Sequence, residues 1–192
     1  MESDTSLSRL RGHFKTSRLH LRPLDGGAEA LYCGLYTDPE VMRHIATPLS
    51  LDAAQRSFRL ACRQAVQQPM DTPWWVMSEH VSRIDIGLIG MVRREAVAEI
   101  GIVLLAQWQG RGFATETIRV LTDLAFEDPA IAMLVLDQAS DNGAMLGLME
   151  KLEFRRAAVA GNDGRVRWQL ARSRWRALRG DSRGLAMLCA EG

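Results

Sequence analysis

A stretch with two glycines, residues 109–115, contains the residues with the clearest chemical use in this chain. Its sequence is Gln-Gly-Arg-Gly-Phe-Ala-Thr, and Gly110 and Gly112 let the backbone approach a ligand without an intervening Cβ. If a helix begins here, its first N–H groups have no acceptor within the helix, and the helix dipole adds partial positive charge behind them. Such converging amides bind a phosphate or a diphosphate. Arg111 would add a positive charge on the solvent side.

The residues on either side predict the elements that position this stretch. An apolar run with β-branched residues, 100–105, precedes it and predicts a strand. Apolar residues then recur at helical spacing over 114–125, which predicts a helix. The expected order is therefore strand, glycine turn and helix, with the unpaired amides at the start of the helix.

The glycine turn has more than one explanation. No Gly-Lys-Ser/Thr follows, so it is not a Walker loop. The glycine spacing, and the lack of a strand ending in Asp or Glu about 20 residues later, argue against a dinucleotide fingerprint. A phosphate-binding turn and a plain strand-to-helix turn without a ligand remain equally compatible with these residues.

Length and composition favour a single α/β domain. The chain has 192 residues, of which 47% are hydrophobic and 24% charged, ordinary values for a globular protein. The formal net charge of +1 gives no reason to expect a nucleic acid or a membrane as partner. Three cysteines lie far apart without metal-ligand spacing, so we expect no metal. No membrane-length apolar run or signal-peptide core is present, which predicts a cytoplasmic protein.

The remaining periodicities predict a mixed sheet with an antiparallel first half. Strands are expected at 18–22, 74–78, 85–94, 99–104, 133–136, 154–160 and 166–170, the last two joined by a turn at 161–164. Helices are expected at 28–36, 39–42, 51–67, 114–125, 142–151 and 173–178. Residues 1–16 and 179–192 are expected to be loose ends. The helix at 114–125 would join two parallel strands in a βαβ unit.

The glycine stretch resembles the pyrophosphate-binding signature of the GNAT acetyltransferase superfamily. That signature reads Gln or Arg, two residues, Gly, one residue, then Gly or Ala, and Gln109, Gly112 and Ala114 fill its positions. The predicted layout over residues 15–176 also resembles the GNAT fold. The resemblance implies one α/β (α+β) domain over residues 1–192, with a mixed, mostly antiparallel central sheet, a βαβ cofactor-binding unit and helices on both faces.

Three further segments resemble the branch of the superfamily that contains the ribosomal-protein-alanine N-acetyltransferases. They are residues 17–23, the DPEVM sequence at 38–42, and Asn142 followed by EKLEF at 150–154. Two departures concern catalysis. Met145 stands where family members usually have Ser, and the two tyrosines, Tyr32 and Tyr36, fall in an early helix. The usual acid that protonates the leaving thiolate is therefore missing.

The resemblance implies that acetyl-CoA is the acyl donor. Its diphosphate would lie on the amides of the glycine turn, and its pantetheine arm would pair with backbone near Val103 and Leu104. An amide at Leu104 or Leu105 would polarise the thioester carbonyl, and Asn142 would contact the arm or the adenylate. The expected cofactor-binding residues are Val103, Leu104, Leu105, Gln109, Gly110, Arg111, Gly112, Phe113, Ala114, Thr115 and Asn142.

The implied acceptor is a primary amine, either a protein N-terminus or a small molecule, that attacks the thioester directly. An α-amino group, with a pKa of about 8, loses its proton more easily than a lysine at about 10.4. Glu99 matches a family carboxylate and is the expected general base, although a solvated strand-end charge explains it equally well; His44 is a second candidate. The alternative function is a non-catalytic acyl-CoA-binding sensor or interaction module. The sequence does not distinguish a monomer from a homodimer.

Overall fold

The computed structural model describes residues 12–65, 72–158 and 165–188. Within these ranges eight strands form one sheet, and six α-helices cover it. The strands are β1 (Phe14–Lys15), β2 (Leu19–Pro23), β3 (Trp74–Glu79), β4 (Asp85–Arg94), β5 (Val97–Leu104), β6 (Met133–Gln138), β7 (Arg155–Arg156) and β8 (Val166–Ala171). The helices are α1 (Glu29–Thr37), α2 (Pro39–Met42), α3 (Leu51–Ala65), α4 (Phe113–Glu127), α5 (Gly143–Lys151) and α6 (Arg172–Leu188).

The sheet order is β1-β2-β3-β4-β5-β6-β8-β7. The pair β5–β6 is parallel, whereas the other described pairs are antiparallel. A parallel pair needs a crossover connection between its strands, and α4 is that connection. The predicted mixed sheet and its βαβ unit around the glycine turn are therefore confirmed.

The sheet separates two apolar clusters. One side, which we call the α4 face, packs Leu21, Trp75 and Ile100 against α4 residues such as Ile118. The other side, which we call the α1 face, packs strand residues such as Val76 and Val103 against α1–α3. Because successive strand residues point to opposite faces, each residue of β5 and β6 can be assigned to one of these two sides.

The helix starts follow the capping residues that the sequence contains. Asp38 accepts hydrogen bonds from the amides of Glu40 and Val41, and Pro39 occupies the first turn of α2. Asn142 accepts from the amide of Met145 at 3.1 Å and begins α5. These predicted starts are confirmed.

The chain ends differ from the prediction. Phe14–Lys15 is not part of a loose end, because it pairs with Leu21 and His20, and the Phe14 ring packs edge-on against Trp75. The final helix runs from Arg172 to Leu188 rather than ending at residue 178. Trp175 holds it in place through a 2.8 Å bond from Nε1 to Asp123.

Within the described residues 154–158, the strand predicted at 154–160 forms only the two-residue β7. Predictions for residues 1–11, 66–67, 159–164 and 189–192 lie outside the described residues. Across the described ranges, no helix combines the length and apolarity needed to cross a bilayer.

Candidate functional site

The strands β5 and β6 diverge after three paired residues. Their register pairs Val97 with Met133, Ala98 with Leu134, and Glu99 with Val135. Beyond this point β5 stays paired with β4, and β6 stays paired with β8, so the facing edges separate. A cavity of about 950 Å³ fills the gap, and its walls include α2, the start of α4 and the start of α5.

The glycine turn lies at this cavity and leads into α4 as predicted. Gly110 has a φ of 71° and Gly112 a φ of 82°, in the left-handed region that non-glycine residues adopt at a cost. Gly112 is also the N-cap residue of α4 and has no side chain to cap the helix. The turn therefore exposes the first amides of α4 instead of covering them.

These amides have no protein partner in the part of the chain that the structure describes. The amide nitrogens of residues 110–115 make no backbone or side-chain hydrogen bond there, and the first paired amide is that of Glu116, on the Gly112 carbonyl at 3.1 Å. The helix dipole adds partial positive charge at the same place. The arrangement is suited to bind an anion with several oxygens.

Arg18 and Glu116 join the turn to the start of β2. The Arg18 guanidinium donates to Glu116 Oε2 at 2.7 Å and to the Arg111 carbonyl at 3.0 Å. Burial opposes ionisation of the Glu116 carboxyl, but hydrogen bonds from Thr16, Arg18 and Ser17 outweigh it and lower its pKa to about 2. Because Arg18 does not line the cavity, it supports the turn from behind.

One hydrogen bond shows which backbone N–H and C=O groups of β5 point into the gap. The amide of Leu105 donates to the Ile86 carbonyl at 3.0 Å, on the side of β4. Backbone groups alternate between the two edges of a strand, so Val103 also faces β4, whereas Ile102 and Leu104 face the gap. The expectation that Leu105 could supply an oxyanion donor is therefore wrong, because its amide is already bonded; the Leu104 amide has the required direction.

Gln109 fixes the path between β5 and the turn. Its side-chain Nε2 donates to the Leu104 carbonyl at 3.0 Å. Arg111 does not line the cavity, since its guanidinium stacks over the Trp108 ring at 4.9 Å from the centroid. Trp108 itself contributes to the wall.

The α1 face of the gap contains Glu99 and an aromatic floor. Glu99 is exposed, alternates with Ala98 and Ile100 of the α4 face, and lines the cavity. Trp74 also lines the cavity and lies across β4, where a Cβ at Gly90 would overlap its indole. Glycine at position 90 is therefore what allows Trp74 to reach under the site.

His44 and Asp141 meet across the mouth of the cavity. Nδ1 of His44 lies 3.1 Å from Oδ1 of Asp141, and both residues line the cavity. A carboxylate on Nδ1 favours the tautomer with its proton there, which leaves Nε2 as an acceptor. The sequence indicated His44 as a second candidate base but did not indicate its partner.

Tyr36 lines the cavity although it belongs to an early helix. Burial raises the pKa of its phenol, and the neighbouring Tyr32 raises it further. A phenol is already a weaker acid than a thiol, at about 10 against about 8.5, so a raised pKa makes Tyr36 a poor proton donor to a thiolate. The usual general acid therefore remains missing.

The cavity contains most of the residues that the sequence indicated. Of the expected catalytic and cofactor-binding residues, Leu105 and Arg111 do not line it, and the others do. Sequence reasoning missed Tyr36, Trp74, Gln138 and Asp141, which also line it. Asp141 could have been found from its position, because it comes one residue before the predicted N-cap of α5. The sequence around the other three residues does not indicate a role in the cavity. No cluster of three or more possible metal ligands occurs among the described residues.

A family model described as an acetyltransferase (GNAT) domain matches residues 18–155. The chain belongs to this family. A search of curated proteins found no match.

Solved structures show the same fold as this GNAT domain. Spermidine N-acetyltransferase from Vibrio cholerae, in complex with CoA and spermine, aligns with a TM-score of 0.71 and 20% identity, covering 83% of this chain and 98% of that one. An aminoglycoside acetyltransferase in complex with coenzyme A aligns at 0.69 and 17% identity, covering 84% and 99%. An acetyltransferase from Agrobacterium tumefaciens str. C58 aligns at 0.71 and 21%, covering 82% and 93%. At these identities the likeness shows the fold alone.

The residues of this GNAT domain fit CoA. The unpaired amides of the turn suit a diphosphate, which offers only acceptor oxygens. The open edge of β5 suits an extended chain that contains amides. A Cβ at Gly110 would meet nothing within 4 Å, so no protein atom crowds this residue of the turn.

Proposed function

We propose that this GNAT domain is an N-acetyltransferase that moves the acetyl group of acetyl-CoA to a primary amine. The observation that supports this most strongly is the pairing of two features in one cavity. In the described chain, the amides of residues 110–115 have no protein acceptor. The edge of β5 that faces β6 is also unpaired from Ile100 to Leu104. A strand-to-helix turn without a ligand would need neither.

The donor side of the site is made of backbone. The amides from Gly110 to Thr115 would hold the diphosphate, and the Ile102 and Leu104 edge would align the arm. Acetyl-CoA supplies an activated thioester when it is bound. The Leu104 amide would stabilise negative charge that develops on the carbonyl oxygen of the thioester.

The acceptor side lies on the α1 face. We propose that Glu99 accepts a proton from the amine, directly or through water, before attack. His44 is the second candidate because Asp141 holds its Nδ1 and leaves Nε2 free to accept. The Ser that family members usually have is Met145 here, so we propose that the thiolate leaves unprotonated and that the nitrogen of the new amide loses its extra proton to solvent.

We infer that the acceptor is the amine of a small molecule. The predicted ribosomal-protein branch would instead imply a protein N-terminus, which is the alternative acceptor. The lining of the cavity contains four carboxylates and three basic side chains, so its charge does not distinguish a small amine from the α-amino group of an N-terminus. The named structural neighbours include enzymes for spermidine and aminoglycosides, which agrees with this choice. The expected cytoplasmic location and the expected absence of nucleic acid and membrane partners also remain predictions.

An amine panel with thiol detection tests the proposal. Acetyl-CoA is incubated with the protein and with polyamines, aminoglycosides or N-terminal peptides, and release of CoA above the protein-free rate is measured. Release with at least one small amine would support the proposal. Tight binding of acetyl-CoA without release from any acceptor would favour the non-catalytic sensor instead.

A further inference from the structure

The indole of Trp74 lies flat on the α1 face of the sheet. A Cβ at Gly90, its register partner on β4, would come within 2.4–2.6 Å of the indole atoms Cδ2, Cε2 and Cε3. Because Cδ2 is bonded to ring atoms on all sides, a group can approach it this closely only from a face of the ring. One face of the indole therefore covers Gly90, and the opposite face is directed away from the sheet.

The indole reaches from β4 to β5. Gly101 is in register with Gly90, and a Cβ at Gly101 would meet only Trp74 Cη2 within 4 Å, at 3.8 Å. Strand alternation places Gly101 on the α1 face between Glu99 and Val103. Gly101 also lines the cavity, so the space above it, beside the edge of the indole, is open to a ligand.

The outer face of the indole has no stacking partner in the part of the chain that the structure describes. No aromatic ring and no guanidinium of these residues stacks on Trp74, which is only partly buried and lines the cavity. Tyr36 of α1 and Val41 of α2 line the cavity from the helix side. On the α1 face the cavity is therefore bounded by an indole below and by a phenol and an aliphatic side chain above.

The proposed chemistry restricts the position of the acceptor nitrogen. The amine gives its proton to Glu99 and attacks a thioester carbonyl at the Leu104 amide, so its nitrogen must lie between these residues along β5. Gly101 is at that position, and it has no side chain to occupy the space. The β5–β6 gap is taken by the donor, so the carbon body of the acceptor extends to the other side, over the indole.

We propose that the Trp74 indole is a platform on which the acceptor stacks, and that the preferred acceptor is a primary amine joined to a flat ring by a short chain. This rests on the proposed function, with Glu99 as the base. A flat ring between the indole and Val41 buries apolar surface and gains an aromatic contact. A second ammonium would also be attracted to the indole, but it would lose its hydration against an aliphatic side chain.

Three amines and the variant Trp74→Leu test the platform. The amines are phenethylamine, which has a flat ring, hexylamine, which has a flexible chain, and hexamethylenediamine, which has a second ammonium. We expect the wild type to prefer phenethylamine to hexylamine in kcat/KM by about three- to tenfold, the range for one aromatic contact. Trp74→Leu should lose this preference, and Trp74→Phe should keep part of it. The dissociation constant of acetyl-CoA, measured by calorimetry, should stay within about twofold in both variants.

Trp175→Leu is the matched control, because Trp175 packs on the α4 face and does not line the cavity; below its melting temperature it should keep the wild-type preference. Should Trp74→Leu not fold, Gly90→Ala provides the same comparison, because the added Cβ would displace the indole.

Two results would overturn the platform and leave the proposed function intact. They are acetylation of amines by the wild type without a preference for phenethylamine, and a Trp74→Leu protein that keeps the preference. A preference for hexamethylenediamine over hexylamine that Trp74→Leu removes would assign the indole to a second ammonium, and would also overturn it. No release of CoA by the wild type with any amine would overturn the proposed function and the platform together.

Discussion

Gly112 is the residue on which the shape of the phosphate turn depends most. We expect Gly112→Val to weaken acetyl-CoA binding more than tenfold, because a β-branched residue is strained at a φ of 82°. The added Cβ would lie 3.4 Å from Arg18 Nη2, behind the turn, rather than in the path of the ligand. The effect should therefore come from reorienting the amides, and calorimetry with acetyl-CoA measures it.

Gly34→Ala is the control for this change. Gly34 lies in α1 with open space around it, without a positive φ, and outside the cavity lining. It should bind acetyl-CoA as the wild type does. Wild-type affinity in a folded Gly112→Val protein would remove the turn from the binding site.

Variants of Glu99 and His44, assayed with amines of different pKa, show which of the two residues acts as the base. If Glu99 is the base, Glu99→Gln should lower kcat/KM by about 10²-fold or more. The loss should shrink for amines of low pKa, because these are already unprotonated at neutral pH. The pH dependence of kcat/KM across an amine series measures both effects.

The matching variant His44→Gln should then keep near-wild-type kcat/KM across the same series. The reverse pattern, with a large loss in His44→Gln and in Asp141→Asn but not in Glu99→Gln, would assign the proton to the imidazole.

Single-residue predictions from sequence succeeded where the signal is local. The glycine turn and the Asn142 cap depend on neighbours in the chain, and both are where the pattern indicated. Leu105 failed because its amide partner, Ile86, is set by strand register, which the sequence pattern does not give. Gln138 lies two residues beyond the predicted end of its strand, so it appeared as a loop residue.

Among the elements, the joint between β2 and α4 supports the phosphate turn. Glu116 has a folded-state pKa of about 2 against an ordinary value of 4.5. A lowered pKa stabilises the fold above the ordinary value, and this contribution is lost as pH falls from about 4.5 to 2. Glu116→Gln should therefore reduce the free energy of unfolding at pH 7 by about 1–3 kcal/mol, with a difference that narrows below pH 4.5.

Urea unfolding at several pH values measures this difference. Glu150→Gln, an exposed carboxylate of α5, should change stability little at any pH. A Glu116→Gln protein as stable as the wild type at pH 7 would contradict the importance of the Arg18–Glu116 joint.

Most helices and strands were predictable because their hydrophobic periodicity and capping residues are local features of the sequence. The separation of β5 and β6 was not predictable in this way. The sequence pattern indicates two strands on either side of α4, which must be parallel neighbours. How far they stay paired depends on β8, which holds β6 by pairing from Met133 to Gln138. That constraint joins residues about thirty positions apart and carries no local signal.

For the molecule as a whole, Arg172 ties the end of the sheet to the end of α4. Its guanidinium donates to the carbonyls of Phe126, Asp128 and Ile131, where a helix dipole favours a cation. Arg172→Met should cost about 1–3 kcal/mol, which lowers Tm by roughly 2–12 °C for a domain of this size. Acetyl-CoA affinity should not change, because Arg172 does not line the cavity.

Arg176→Met, at an exposed position of the same helix, is the control and should melt close to the wild type. An unchanged Tm for Arg172→Met would show that these carbonyls are satisfied as well by water. The overall fold class was predictable from the βαβ pattern, but the extent of α6 was not, because Trp175 and Arg172 hold it through contacts with α4.

Amide hydrogen exchange of residues 110–115, followed by NMR with and without acetyl-CoA, tests the central claim most directly. In the free protein these amides should exchange quickly, because no protein acceptor protects them. Saturating acetyl-CoA should slow several of them strongly, with little change at amides of β2 and β3. Exchange at residues 110–115 that is already slow without ligand, or unchanged at saturating acetyl-CoA, would contradict the account.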